Sequence, residues 1–210
     1  MTDYPVDVPV DYVDEAEVEK VDIAALQVAT FTGRDRPQIF EGDYWRMEFR
    51  YQNIGPDDGR AMSAFIASLR GPIGTFVIPF PGYGVPRGGA ATTLSSPLVN
   101  GAGQAGNRVL NIKNAPPDMD GWLLPGDIMQ VGPDTRPHWH EVLEPVDTDS
   151  SGLASIAVWP AVRNDTAAND PITLETPLCL MRMVSSVKYP IRPPVLYSFN
   201  IIAREKTGDR

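Results

Sequence analysis

The sequence predicts a mainly β protein: a split β domain carrying one helix, into which a small β-barrel or sandwich of OB-like or galectin-like type is inserted. Three observations lead there. Twenty-one prolines and 18 glycines punctuate the 210 residues, and these residue types break helices but serve hairpin turns. Apolar side chains alternate with period two, most plainly in QIFEGDYWRMEFRYQ (38–52), where Trp45, Met47, Phe49 and Tyr51 oppose Arg46, Glu48, Arg50 and Gln52. One segment, DDGRAMSAFIASLRG, has a helical period instead.

Along the chain, residues 1–24 read as an extended acidic arm. Their apolar-acidic alternation is interrupted by Pro5 and Pro9, and the acids face a single lysine. ALQVATFTG (25–33) and the 38–52 segment read as a strand pair, the second half-buried with its charges toward water. The helix is expected over Asp57–Leu69, burying Ala61, Ala64, Phe65, Ser68 and Leu69, widened by Met62 and Ile66, against that strand pair. Asp57 or Asp58 would cap it, and Gly71-Pro72 would stop it. A buried strand Thr75–Ile78 then enters a turn-rich linker. From about Pro97 the texture changes to six short strands, 108–114, 126–132, 138–146, 153–160, 171–177 and 178–187, separated by turn formers such as Asp149-Ser150-Ser151-Gly152. The last strand, in PPVLYSFNIIAREK (193–206), is expected to rejoin the first domain. The units are therefore 25–96 with 188–210, and an insertion at 97–187.

Composition excludes several functions. A net charge of -9 and a pI near 4.7 disfavour a nucleic-acid or anionic-membrane surface. The single cysteine, Cys179, excludes an intramolecular disulfide framework and reads as a buried small hydrophobe. No basic stretch followed by an apolar run opens the chain, so no standard signal peptide is expected, and no membrane-spanning run occurs.

The chemical motifs are sparse. His138 and His140 share one face of a strand, so a two-histidine edge of a metal site is geometrically available, but a third ligand is missing: Glu141 faces the other way and Glu144 lies further along. A partly exposed hairpin strand with no metal is expected, in which exchanging both histidines for asparagine leaves folding nearly unchanged. No G-x-S-x-G elbow occurs, and PFPGYGVPRGG (79–89) lacks a phosphate loop's Gly-Lys-Ser/Thr ending. Asp118 with Asp120 and Asp147 with Asp149 lack a calcium-loop spacing. No catalytic residue, cofactor or metal is expected, and the protein is expected not to be an enzyme. Tyr44, Trp45, Phe49 and Tyr51 are candidates for subunit contact; Trp122 and Trp159, beside turn and proline residues, either plug the insertion's ends or stack on a glycan.

GDIMQVG, HEVLEPVDTDSSGLASIAVWPAVR and PITLETPLCLMRM, read in succession, resemble a module of minor tail proteins of long-tailed bacteriophages. The N-terminal strand pair, the helix ending in LRGPIGTF and the late returning strand are similar to the distal tail protein of such phages, over roughly 25–205. That resemblance carries no active-site residue. It implies a structural virion protein at the distal end of the tail, made in the host cytoplasm. Such a protein forms a ring, commonly a homohexamer, between the tail tube protein and the tail-tip hub or baseplate. The acidic balance suits a channel that conveys DNA without binding it. The alternative from another class is a carbohydrate-binding or adhesin-like accessory module that meets a host surface glycan.

Overall fold

The computed structural model describes residues 4–10, 13–28, 35–39, 42–93, 95–193 and 195–207, with 25–28 and 36–39 as backbone. The chain is mainly β. Its elements are β1 (Val6–Asp7), β2 (Glu15–Val21), β3 (Ala24–Val28), β4 (Asp35–Ile39), β5 (Tyr44–Ile54), α1 (Pro56–Leu69), β6 (Phe76–Pro79), β7 (Leu98–Val99), β8 (Val109–Lys113), β9 (Ile128–Val131), β10 (His138–Val142), β11 (Ala154–Trp159), β12 (Ile172–Thr173), β13 (Leu178–Met183), β14 (Ile191–Arg192) and β15 (Leu196–Glu205).

The long strands β5 and β15 form the spine of a sheet ordered β1-β6-β13-β15-β5-β2, with β14 beside β15. Their alternation decides their faces. Trp45, Met47, Phe49 and Tyr51 on β5 are buried, as are Phe199, Ile201 and Ala203 on β15. The opposite parity carries Arg46, Glu48, Arg50 and Arg204, which alternate with buried neighbours and are themselves only partly exposed.

Two expectations about this sheet need correcting. The acidic N-terminal stretch is not a free arm: β2 pairs with β5 along all seven residues, and β1 lies parallel to β6. The reason is complementary alternation. Ala16 and Val18 oppose Phe49 and Met47, while Glu15 and Glu19 oppose Arg50 and Arg46 and form ion pairs of 2.9 Å with them. Likewise β13, expected in the insertion, lies between β6 and β15, because Cys179, Met181 and Met183 complete the first core.

The helix begins one residue earlier than expected. Gly55 is the N-cap without a side-chain cap, Pro56 opens the first turn, and Asp57 and Asp58 sit inside that turn, where acid complements the helix dipole. Arg70 (φ 52°) and Gly71 (φ 72°) end it in the left-handed region. The buried stripe is Gly59, Met62, Phe65 and Leu69, whereas Ala61 and Ala64 are exposed. Alanine is too small to decide a face. Phe65 meets Phe76 of β6 edge to face at 5.6 Å, and the helix rests on β15 rather than on an N-terminal strand pair. That pair is itself different: β3 and β4 form a separate two-stranded sheet, and residues 29–33 of the expected first strand lie outside the described residues.

The second sheet is antiparallel in the order β12-β9-β10-β11-β8-β7. A bridge between Leu98 and Pro171, with hydrogen bonds from Val99 N to Asp170 O and from Ile172 N to Pro97 O, both 3.0 Å, joins its ends into a barrel. Leu110, Ile112, Trp122, Leu123, Met129, Val131, Val142, Ile156 and Val158 fill the interior. Ile128, Trp139 and Trp159 instead join the core of the first sheet, so one side of the barrel is the sheet's own packing partner.

Candidate functional site

The barrel and the sheet meet at a cluster of indoles backed by a buried ionic network. Trp45 of β5 lies edge to face with Trp159 of β11 at 4.6 Å, Phe80 at 5.7 Å and Trp139 of β10 at 6.2 Å, the geometry that aromatic quadrupoles favour. Each indole of this group has an acceptor. Trp45 Nε1 donates to Trp139 O (3.0 Å), Trp139 Nε1 to Pro177 O (2.8 Å) and Trp159 Nε1 to Asp22 Oδ1 (2.7 Å). Lys20 of β2 stands 5.8 Å from both the Trp45 and Trp159 rings and is ion-paired with Glu141 of β10. A groove of about 290 Å³ along this seam is lined by Val18, Lys20, Phe80, Tyr83 and Glu141. Burial and the nearby charge of Asp127 push the Tyr83 phenol up to about 12.

Glu205 is the centre of the network. As the last residue of β15 it has the same parity as Phe199, Ile201 and Ala203, and its exposure is 0%. Its Oε1 accepts from Arg163 Nε at 2.8 Å and lies 3.0 Å from His138 Nδ1. Its Oε2 accepts from Arg163 Nη2 and from the Trp45 amide. Arg163 also donates from Nη1 to Asp43 O at 2.8 Å, and Asp43 pairs with Arg108 at 2.6 Å. His138 Nε2 lies 3.1 Å from the Asp165 carboxylate. The charges thus come from both units: Glu205 and Asp43 flank the sheet, while Arg163, His138, Asp165 and Arg108 belong to the barrel segment.

The protonation states follow. Burial alone would raise the Glu205 carboxyl, but Arg163 and His138 hold it down at about 2. Burial alone would depress His138, yet Asp165 and Glu205 outweigh it and leave the imidazole above its ordinary value. His140, two residues on, has Pro160 O at 2.9 Å from Nδ1; burial and the Arg163 charge depress it to about 3. Neighbouring histidines of one strand are thus held in opposite states by partners distant in sequence.

The expected partly exposed hairpin is therefore corrected: His138 and His140 are 1% and 0% exposed, His138 reaching Glu205 across the junction and His140 bonding Pro160 within the barrel segment. No group of three or more His, Cys, Asp or Glu arranged to hold a metal occurs among the described residues. The interface candidates divide. Tyr44 is partly exposed, with the Arg204 guanidinium 4.6 Å from its ring. Trp45, Phe49 and Tyr51 are core residues, at most 1% exposed, and have no apolar area left for a neighbour. Neither glycan candidate presents a ring: Trp122 is sealed inside the barrel and Trp159 is 6% exposed at the junction. Asp147 and Asp149 are structural, accepting the amides of Gly121 (2.7 Å) and of Ser151 and Leu153 (2.8 Å each). Cys179 is fully buried, and burial together with Glu205 pushes its thiol well up, which makes it inert.

Sequence reading missed Glu205, Arg163, Asp165 and Asp43. Only the first left a signal, an acid at core parity ending an apolar alternation; the others lie in connections. The arrangement can clamp two units together. No family model matches the chain, and no curated protein matches it.

Proposed function

We propose that this protein is a ring-forming structural component of the tail tip of a long-tailed bacteriophage, joining the tail tube to the hub or baseplate without catalytic activity. The resemblance in the sequence suggests the role. The observation that carries it furthest is the β3–β4 pair, a two-stranded sheet that, among the described residues, joins neither of the others. An isolated two-stranded hairpin is marginally stable in water, so a partner's surface is its natural complement. Among the described residues β2 is the last strand of its sheet, and an open edge is the other device by which subunits pair main chains. The junction supports the same reading, because a connector that transmits force needs its inserted domain held rigid. A homohexamer, with tube and hub proteins as axial partners, is the assembly this role implies.

Two measurements test it. Replacing residues 24–39 with a short Gly-Ser turn leaves the body folded by circular dichroism and abolishes the oligomer in mass photometry. In virions, an epitope at Asp209 appears at the distal tail end by immunogold microscopy. Label along the tube or on the capsid, or absence from particles, refutes the role.

A further inference from the structure

The outer face of the large sheet carries a row of arginines that is compensated only at its β2 end. Register places Arg182 of β13 opposite Arg204 of β15, Arg204 opposite Arg46 of β5, and Arg46 opposite Glu19 of β2. One cross-strand row therefore runs from acid at the β2 edge to cation at β13. Like charges directly opposite each other destabilise a sheet. Arg46 is relieved by its 2.9 Å pair with Glu19. Among the described residues Arg182 and Arg204 have no carboxylate partner, and the Nε of each is buried without a hydrogen bond. They line a groove of about 400 Å³ with Pro72, Val184, Lys206 and Thr207. Glu205 lines it too, but its carboxylate is committed to Arg163 and His138. In a protein of net charge -9, this is a local excess of positive charge.

At the other end of the row lies the groove's complement. β2 is the terminal strand of its sheet, and Glu15, Glu17 and Glu19 are exposed on it at alternate positions. Glu17 faces another acid, Glu48, across the pair. Two β2 edges meeting about a two-fold axis would set these acids against each other, which disfavours a symmetric dimer. An acidic edge and a basic groove on one chain instead favour a head-to-tail contact, the kind that closes into rings.

We propose that the Arg182–Arg204–Lys206 groove receives the Glu15–Glu19 edge of the next copy. This rests on the ring reading and supplies its contact. The test is a charge-swap rescue on the full chain, read by mass photometry and sedimentation. One variant carries Arg182→Glu and Arg204→Glu, the other Glu17→Lys and Glu19→Lys; each must keep the parent's circular dichroism, and if the first does not, a single Arg204→Glu change replaces it. Each variant alone should lose the assembled species, its apparent Kd rising about tenfold or more, because like charges then meet. A 1:1 mixture should restore it, since each mutated patch finds its opposite on the other variant. Rings that form as well with either variant as with the parent overturn this contact and leave the ring reading standing. Loss in both variants without rescue in the mixture also overturns it. A parent that stays monomeric alone and with tube and hub proteins overturns both.

Discussion

Replacing Glu205 with glutamine removes the one negative charge that Arg163 and His138 share in the interior. The two states of the carboxyl give the magnitude. An ordinary glutamate titrates at 4.5 and this one at about 2, a gap worth roughly 3 kcal/mol at about 1.4 kcal/mol per pH unit. That agrees with the ~3–5 kcal/mol for breaking a buried pair from one side. The pH dependence is specific as well. The depressed pKa of Glu205 means that its contribution is fully present above 4.5 and lost as pH falls through about 2. His138 is raised, so its contribution is full below 6.5 and is lost as pH rises through its folded value. His140 is depressed from 6.5 to about 3: it is neutral when folded, and stability falls as pH drops below 6.5 because the unfolded chain takes the proton first. The parent should therefore be most stable near pH 6.5, with His138 responsible for the alkaline limb and His140 for the first part of the acid limb. Urea unfolding from pH 4 to 9, parent against Glu205→Gln, isolates the junction because the surface carboxylates are common to both proteins. The variant should lose about 3 kcal/mol at pH 6.5, and its alkaline limb should flatten because His138 has lost its buried counter-charge. A loss under about 1 kcal/mol, or an alkaline limb identical to the parent's, refutes the clamp.

Three further outcomes follow from the packing. Gly59→Ala should destabilise, against the usual gain of ~1 kcal/mol for such a change in a helix, because its Cβ would lie 2.2 Å from Tyr197 Cδ2 and 2.4 Å from Cγ; a raised Tm would show that the helix can lift off β15. Phe65→Ala should cost about 3–5 kcal/mol in denaturant unfolding, and a change below 1 kcal/mol would remove Phe65 from the core. Exchanging His138 and His140 together for asparagine should lower the unfolding midpoint sharply, the reverse of what two partly exposed strand residues would give, and an unchanged midpoint would contradict their burial.

Local period made part of this fold legible. β5, β15 and the barrel strands announce themselves because one face is apolar and turn formers bound them, and α1 because a 3.6-residue period admits no other reading. β13 was legible as a strand but not as part of the first sheet: LCLMRM has no clear period to set its face, and it follows directly on the barrel strands. β2 was hidden by its acids. EAEVEKV looks solvated on its own, and only beside Arg46 and Arg50, some 27 and 35 residues away, does the alternation become a pairing code. The histidines show the same limit. Their shared face was legible, but their burial depends on Glu205, 67 residues from His138, and on Arg163 in a connection without regular structure.

The placement of these long-range partners has a mechanical consequence. The barrel is tied to the sheet by two covalent connections, the linker before β7 and the short segment from Leu174 to Pro177 between β12 and β13, and two such strands alone would form a hinge. The contacts that no local pattern predicted lie across that hinge. Trp45 meets Trp159 edge to face, Lys20 reaches Glu141, and Glu205 binds Arg163 and His138. A buried charge costs free energy to desolvate and is tolerated only when its partners are fixed in place. Swinging the barrel would strand Glu205 in an apolar interior, at a cost on the order of the 3 kcal/mol found above. The ionic centre therefore acts chiefly through what it forbids: its contribution to net stability is modest beside the hydrophobic cores, but it leaves one orientation of barrel on sheet. In a ring assembled through β2, whose Lys20 reaches Glu141 of the barrel, that fixed orientation would carry every inserted domain to the same side.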